Sequence, residues 1–223
     1  MQRDLLDALR CPAPHEESWL VAMVHRADGA TLLDAEMACP LCGAEYAVAQ
    51  GEAWFNGKPA AVIEPAPRSK EVLAPDVERL AAQLGVMGGM APVLLAGRYG
   101  AVAADYAALT GAPVVVITES PVVLAMAHPG VSVLHIGPRV PLGAGTLAAA
   151  AFDAMPTDAP TLMASVARAV RGRGRLLAPV EHVVPAALIG SLRELARDET
   201  EWVAELTAAS SGLVALRRSP PPV

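Results

Sequence analysis

A chain of 223 residues, of net charge -6 and with 18% charged residues, is long enough for one α/β domain of about 150 residues and a small appendage. The acidic balance excludes a broad basic footprint for nucleic acid. The most apolar region, residues 121–152, is broken by His128, His135, Arg139 and several Pro and Gly residues before about 20 apolar residues accumulate, which argues against a membrane helix.

Met1-Gln2-Arg3-Asp4 has neither the positive region nor the apolar run of a secretory signal, so the expected location is cytoplasmic. Asp4 to Leu9 has the composition of a short helix and leads into Cys11-Pro12-Ala13-Pro14-His15. Trp19 to Val24 reads as a strand, Ala27-Asp28-Gly29 as a turn and Thr31 to Leu33 as a second strand, which together make a hairpin. The hairpin delivers the chain to Cys39-Pro40-Leu41-Cys42-Gly43, where two thiolates three residues apart can grip a tetrahedral zinc ion. Cys11 and His15 are the candidates for the other half of the site, with Glu16 and His25 in reserve. A region of roughly fifty residues with few large apolar side chains buries little core, so a metal clip would supply stability that packing does not. A free dithiol beside an exposed His15, or a CxxC redox pair, are the alternatives; the redox reading lacks the thioredoxin-like βαβ context it needs.

Three stretches in this region, Leu5-Leu6-Asp7-Ala8-Leu9-Arg10-Cys11-Pro12, Cys39-Pro40-Leu41-Cys42-Gly43-Ala44-Glu45-Tyr46 and Gly51-Glu52-Ala53-Trp54-Phe55, resemble the small zinc-ribbon family that includes the activator subunit of tRNA and release-factor methyltransferases. The resemblance covers residues 5–55 and departs at the second ligand, where Pro14 stands in the usual cysteine place and His15 follows one residue late. It implies a zinc ribbon over residues 1–55. Residues 56–75, rich in Pro, Gly, Lys and Glu, read as a linker to a second domain over 76–223.

That domain opens with a helical spacing from Asp76 to Leu84, ended by Gly85. Strands are expected at 92–96, 114–118, 131–136, 147–152, 175–180 and 212–217, and helices at 101–109, 121–127, 159–170 and 185–206. Continuous apolar strands alternating with amphipathic helices specify a parallel sheet covered on both faces, the doubly wound α/β class. In such a fold the turn after the first strand, here Ala96-Gly97-Arg98-Tyr99-Gly100, lies beside a helix N-terminus suited to a nucleotide-like ligand.

Four segments in order, Glu78 to Val86, Glu119 to Ala127, Val140 to Leu147 and Ala169 to Leu177, resemble class I S-adenosylmethionine-dependent methyltransferases over residues 76–218. The resemblance implies a Rossmann-like, mostly parallel sheet and a cofactor held by Gly97, Gly100 and Glu119. It also exposes three departures. Leu95 replaces the acid of the glycine-rich turn while Tyr99 and Ala101 replace later glycines; Thr118 takes the ribose-binding place, with Glu119 one residue on; and Pro138 sits where an acid faces the adenine. No catalytic residue is identified. Asp153 is more readily a loop acid than a general base, His128, His135 and His182 are more readily surface or core histidines, and the Arg171, Arg173 and Arg175 cluster reads as a solvated face.

The leading expectation is a methyltransferase-like protein with lost or weakened S-adenosylmethionine binding, a pseudoenzyme that acts as a binding or assembly component with a protein partner. The alternative is an active S-adenosylmethionine-dependent methyltransferase on a small molecule, RNA or protein, because transfer to an already nucleophilic substrate needs mainly positioning. A nucleic-acid binder acting through the ribbon is the third class, and the charge gives it no support.

Overall fold

A computed structural model describes residues 1–57, 75–119, 124, 128–153, 159–182 and 184–207. The expected helix at 121–127 and strand at 212–217, and most of the linker, lie outside these residues.

The N-terminal region begins with a 3-10 turn over Arg3–Ala8 and continues as four antiparallel-connected strands, β1 (Val21–Asp28), β2 (Thr31–Ala38), β3 (Glu45–Ala49) and β4 (Glu52–Trp54). The β1–β2 hairpin matches expectation and runs longer than the apolar runs suggest.

The second region starts with α1 (Val77–Leu84). Asp76 caps it by accepting from the amides of Glu78 and Arg79 at 2.9 and 3.2 Å, and Gly85 ends it at φ +64°. Then follow β5 (Val93–Ala96), a 3-10 turn over Gly97–Val102, α2 (Ala103–Thr110), β6 (Val114–Thr118), β7 (Val131–His135) and β8 (Leu147–Ala151). After α3 (Ala159–Ala169) the chain enters β9 (Val170–Pro179). The strands β5 to β8 are buried along nearly their whole length, as strands covered on both faces must be. One layer, α1 and α2, packs through Leu80, Leu84 and Tyr106 on Val93, Leu95 and Val116. On the opposite face α3, through Leu162, Met163 and Val166, shares a core with Leu94, Val115 and Ile117.

The expected helix over 185–206 is not what forms. Residues Ala186–Ser191 make a 3-10 turn, and the rest is a hairpin of β10 (Leu192–Arg197) and β11 (Glu201–Leu206). Two features override the helical spacing. Asp198 Oδ1 accepts from the amides of Thr200 and Glu201, both at 2.8 Å, which turns the chain back on itself. Trp202-Val203-Ala204 is then buried on both faces beside β9, a slot that suits aromatic and β-branched residues.

The described strands form a single sheet of eleven, in the order β1-β2-β3-β4-β7-β6-β5-β8-β9-β11-β10. Its central pairings, from β4 to β9, are parallel and both flanks are antiparallel. The two regions therefore join through hydrogen bonds: Glu52 and Trp54 of β4 lie in register with Val133 and His135 of β7, and the Phe55 amide donates to the His135 carbonyl at 2.7 Å. Leu9, Leu32, Met37, Val48 and Phe55 belong to the same core as Leu94 and Val115. No helix among the described residues is long and apolar enough to cross a membrane.

Candidate functional site

Two places concentrate chemistry: a cysteine–histidine cluster in the N-terminal region and the carboxyl edge of the parallel strands.

The cluster is built from two knuckles. In the first, the Cys11 amide donates to the Ser18 carbonyl at 3.0 Å and Arg10 bridges to Trp19, which closes the loop carrying His15. In the second, the Gly43 amide donates to the Cys39 carbonyl and the Cys39 amide to the Ala44 carbonyl, both at 2.9 Å, with Gly43 at φ +70°. The loops face each other so that Cys11, His15, Cys39 and Cys42 present ligand atoms within 4.8 Å of one another. The spacings fit a tetrahedral ion. Zinc bonds to sulfur and nitrogen at their usual lengths put two sulfurs about 3.8 Å apart and sulfur and nitrogen about 3.6 Å apart; Cys11 and Cys42 Sγ are separated by 3.8 Å and Cys39 Sγ and His15 Nε2 by 3.4 Å.

The surroundings favour a thiolate at Cys39, whereas burial holds the Cys11 thiol above its ordinary value. Burial pushes the Cys39 thiol up, but the amides of Cys42 and Leu41 and the neighbouring thiols outweigh it and bring it down to about 6. The Tyr46 hydroxyl lies 3.3 Å from Cys11 Sγ, and burial followed by the nearby sulfurs raises its pKa, so it stays a neutral donor. His15 Nδ1 lies 2.5 Å from the Glu16 carbonyl, to which only a protonated nitrogen can donate; in the neutral ring this leaves the Nε2 lone pair toward the sulfurs. The reserve ligands stay out of the cluster, since Glu16 contributes its carbonyl and His25 pairs with Glu36 at 3.8 Å.

At the carboxyl edge, β5 is flanked by β6 on one side and β8 on the other, so the crevice of a doubly wound sheet falls between the ends of β5 and β8. Gly97 leaves β5 at φ +61°, and a Cβ there would lie 2.7 Å from Asp153 Cβ, which follows β8. The two strand ends are thus in contact. Arg98 reaches over them: its Nε is 3.7 Å from Asp153 Oδ2, its Nη2 donates to the Tyr99 hydroxyl at 3.1 Å, and it forms an ion pair with Glu201 at the start of β11. The buried Tyr99 hydroxyl also donates to Glu201, which burial and that carboxylate together reflect in a raised phenol pKa. Gly100 serves packing, because a Cβ there would press to 3.1 Å on Val116 Cγ1. Glu119 follows β6 at the same edge, its carbonyl accepting from Asn56 Nδ2 at 3.3 Å.

The histidines divide. His135 is buried, stacked on Trp54 with ring centroids 3.5 Å apart, and bonded through Nε2 to Glu52 Oε2 at 2.6 Å, which makes it a satisfied core histidine at the seam of the two regions. His182 Nε2 is buried without a hydrogen-bond partner among the described residues, its ring centroid 6.4 Å from that of Phe152. Arg175 donates to the carbonyls of Ala82 and Gln83, whereas Arg171 and Arg173 are exposed. Sequence reasoning missed Tyr46, Glu52 and Glu201. Only Tyr46 carried a signal, as the aromatic four residues after the CxxC knuckle.

No family profile matches the chain, and no curated protein matches it. Among solved structures it is similar to the 1,6-didemethyltoxoflavin-N1-methyltransferase of Burkholderia thailandensis, with 16% identity, a TM-score of 0.45 and coverage of 59% of this chain and 76% of that one. Similarity to the antibiotic-resistance methyltransferase Kmr is at 12% identity and a TM-score of 0.42, over 60% of this chain and 94% of that one. The geranyl diphosphate C-methyltransferase of Streptomyces coelicolor is matched at 20% identity and a TM-score of 0.37, over 46% of this chain and 41% of that one, so the chain spans less than half its length.

Proposed function

We propose that the chain is a methyltransferase-fold protein whose cofactor crevice is closed by its own side chains, and that it acts as a binding or assembly component for a protein partner. The observation that carries this reading is the Arg98–Tyr99–Glu201–Asp153 network across the ends of β5 and β8. A nucleotide-like cofactor needs backbone amides open to it at that turn and an acid to receive its polar groups. Here a buried phenol and a paired guanidinium stand in the turn, Leu95 is buried within β5, and Gly97 lies so close to Asp153 that a Cβ there would fall 2.7 Å from the Asp153 Cβ.

In this reading Cys11, His15, Cys39 and Cys42 hold a structural zinc ion, and residues 1–55 form a zinc ribbon. Four protein ligands complete a tetrahedron and leave no open position for a substrate, which marks a structural and not a catalytic ion.

Calorimetric titration of the full chain with S-adenosylmethionine tests the proposal. The expected result is no saturable heat at micromolar concentrations. Saturable binding that is lost on replacing Glu119 or Gly97 would overturn it and restore the methyltransferase reading.

A further inference from the structure

The amino edge of the sheet, opposite the closed crevice, carries a cavity of about 420 Å³ between the 3-10 turn of residues 3–8 and the starts of β5, β6 and β7. Its volume is in the range of small-molecule sites. The walls are apolar: Leu5 from the turn, Pro92 before β5, and Pro113, Val114 and Val115 leading into β6. Met90 stands in the lining with 83% of its surface exposed, an adaptable apolar side chain beside an apolar hollow.

The charge in the lining is of one sign. Asp4 and Asp7 contribute to it, and no Arg, Lys or His does. In a 3-10 turn residues three apart eclipse each other, so the two carboxylates stand on one side of the turn, as do Leu5 and Ala8 beneath them. Neither carboxylate has an ion-pair partner among the described residues. The nearby Arg10 donates to the backbone carbonyls of Asp7 and Leu9 and pairs with Glu17, not with the Asp7 carboxylate. The apolar hollow thus opens beside two exposed carboxylates.

We infer that this cavity binds a small amphipathic cation, an organic ammonium with an aliphatic or aromatic body. The body fills the hollow between Leu5, Pro113 and Val115, and the ammonium sits between the Asp4 and Asp7 carboxylates. An anion meets two carboxylates there, and a neutral apolar molecule gains nothing from them. The site lies at the end of the sheet away from Gly97 and Asp153, so it does not depend on the state of the cofactor crevice.

The test is a titration of the full, metal-loaded chain with 4-phenylbutylammonium chloride, followed by amide chemical shifts, with 4-phenylbutanol as the neutral counterpart. The expected result is saturable shifts at Leu5, Val114 and Val115, and clearly weaker binding of the alcohol. The double substitution Asp4→Asn with Asp7→Asn, at exposed positions, should weaken the ammonium about tenfold while leaving the melting temperature in place, and added salt should weaken it in the native chain. The proposal is overturned if no shift saturates by millimolar ligand, if the alcohol binds as well as the ammonium, or if the double variant binds unchanged.

Discussion

Removing the metal ligation is the perturbation with the widest predicted reach. Structural zinc sites contribute roughly 10 kcal/mol or more of apparent binding free energy, comparable to the whole net stability of a domain, about 5–15 kcal/mol. Chelation, or Cys42→Ser, should therefore unfold the N-terminal region. The sequence alone places the damage within residues 1–55, but the shared core carries it further. Leu9, Leu32, Met37, Val48 and Phe55 pack in the same cluster as Leu94 and Val115; at about 2 kcal/mol each, their joint burial is worth on the order of 10 kcal/mol. Losing it strips one side of β7, which becomes an uncovered edge once β4 departs. Hydrogen exchange followed by mass spectrometry, before and after chelation, should show β4 and β7 losing protection together, with less than one zinc per chain measured in the same samples. Retained protection at Val133 and His135 after the metal has gone would refute the coupling, and a chelated chain that stays folded throughout would refute the structural role of the ion.

Glu201→Ala should destabilise by about 3 kcal/mol in urea unfolding, because it leaves the Arg98 guanidinium and the Tyr99 hydroxyl without their shared carboxylate; Glu201→Gln, which still accepts from Tyr99, should cost clearly less. Gly97→Ala combines a positive φ with a contact on Asp153 and should cost about 2–3 kcal/mol, against about 1 kcal/mol for Gly111→Ala, where φ is +69° but nothing lies within 4 Å; equal losses would remove the packing term. Tyr106 has a buried hydroxyl with no hydrogen-bond partner among the described residues, and burial raises its pKa to about 12. A raised folded-state pKa means that stability is intact below the unfolded phenol value of about 10 and falls as pH climbs through about 12. Tyr106→Phe should flatten that part of the alkaline loss and raise neutral stability by about 1 kcal/mol in thermal melts.

Much of this architecture was legible because it is local. The Asp76 cap, the Gly85 stop and the run Val114 to Thr118 announce their elements within a few residues, and the CxxC knuckle announces half a metal site. The departures in the glycine-rich turn were legible too, but only as losses. What fills the gap comes from Glu201, more than a hundred residues away, and no spacing rule connects it to Arg98. The hairpin of β10 and β11 was misread for a related reason: Leu192 to Arg197 has helical composition, and the vacant slot beside β9 decides the outcome. The join between β4 and β7 is carried by three residues on one side, too few to show a period.

That join also sets an order of events for folding. Glu52 and His135 are separated by 83 positions, so β4 can pair with β3 early but its other edge has no partner until β7 exists. Contacts across such separations form late and slowly. The four residues of the cysteine–histidine cluster, by contrast, all lie within the first 42 positions and can be gathered as soon as that stretch leaves the ribosome. An ion captured then would hold the early hairpins in shape through the interval, and would present a preformed edge to β7 when it arrives. Folding rate, and not only final stability, should thus depend on how much metal is available while the chain is being made.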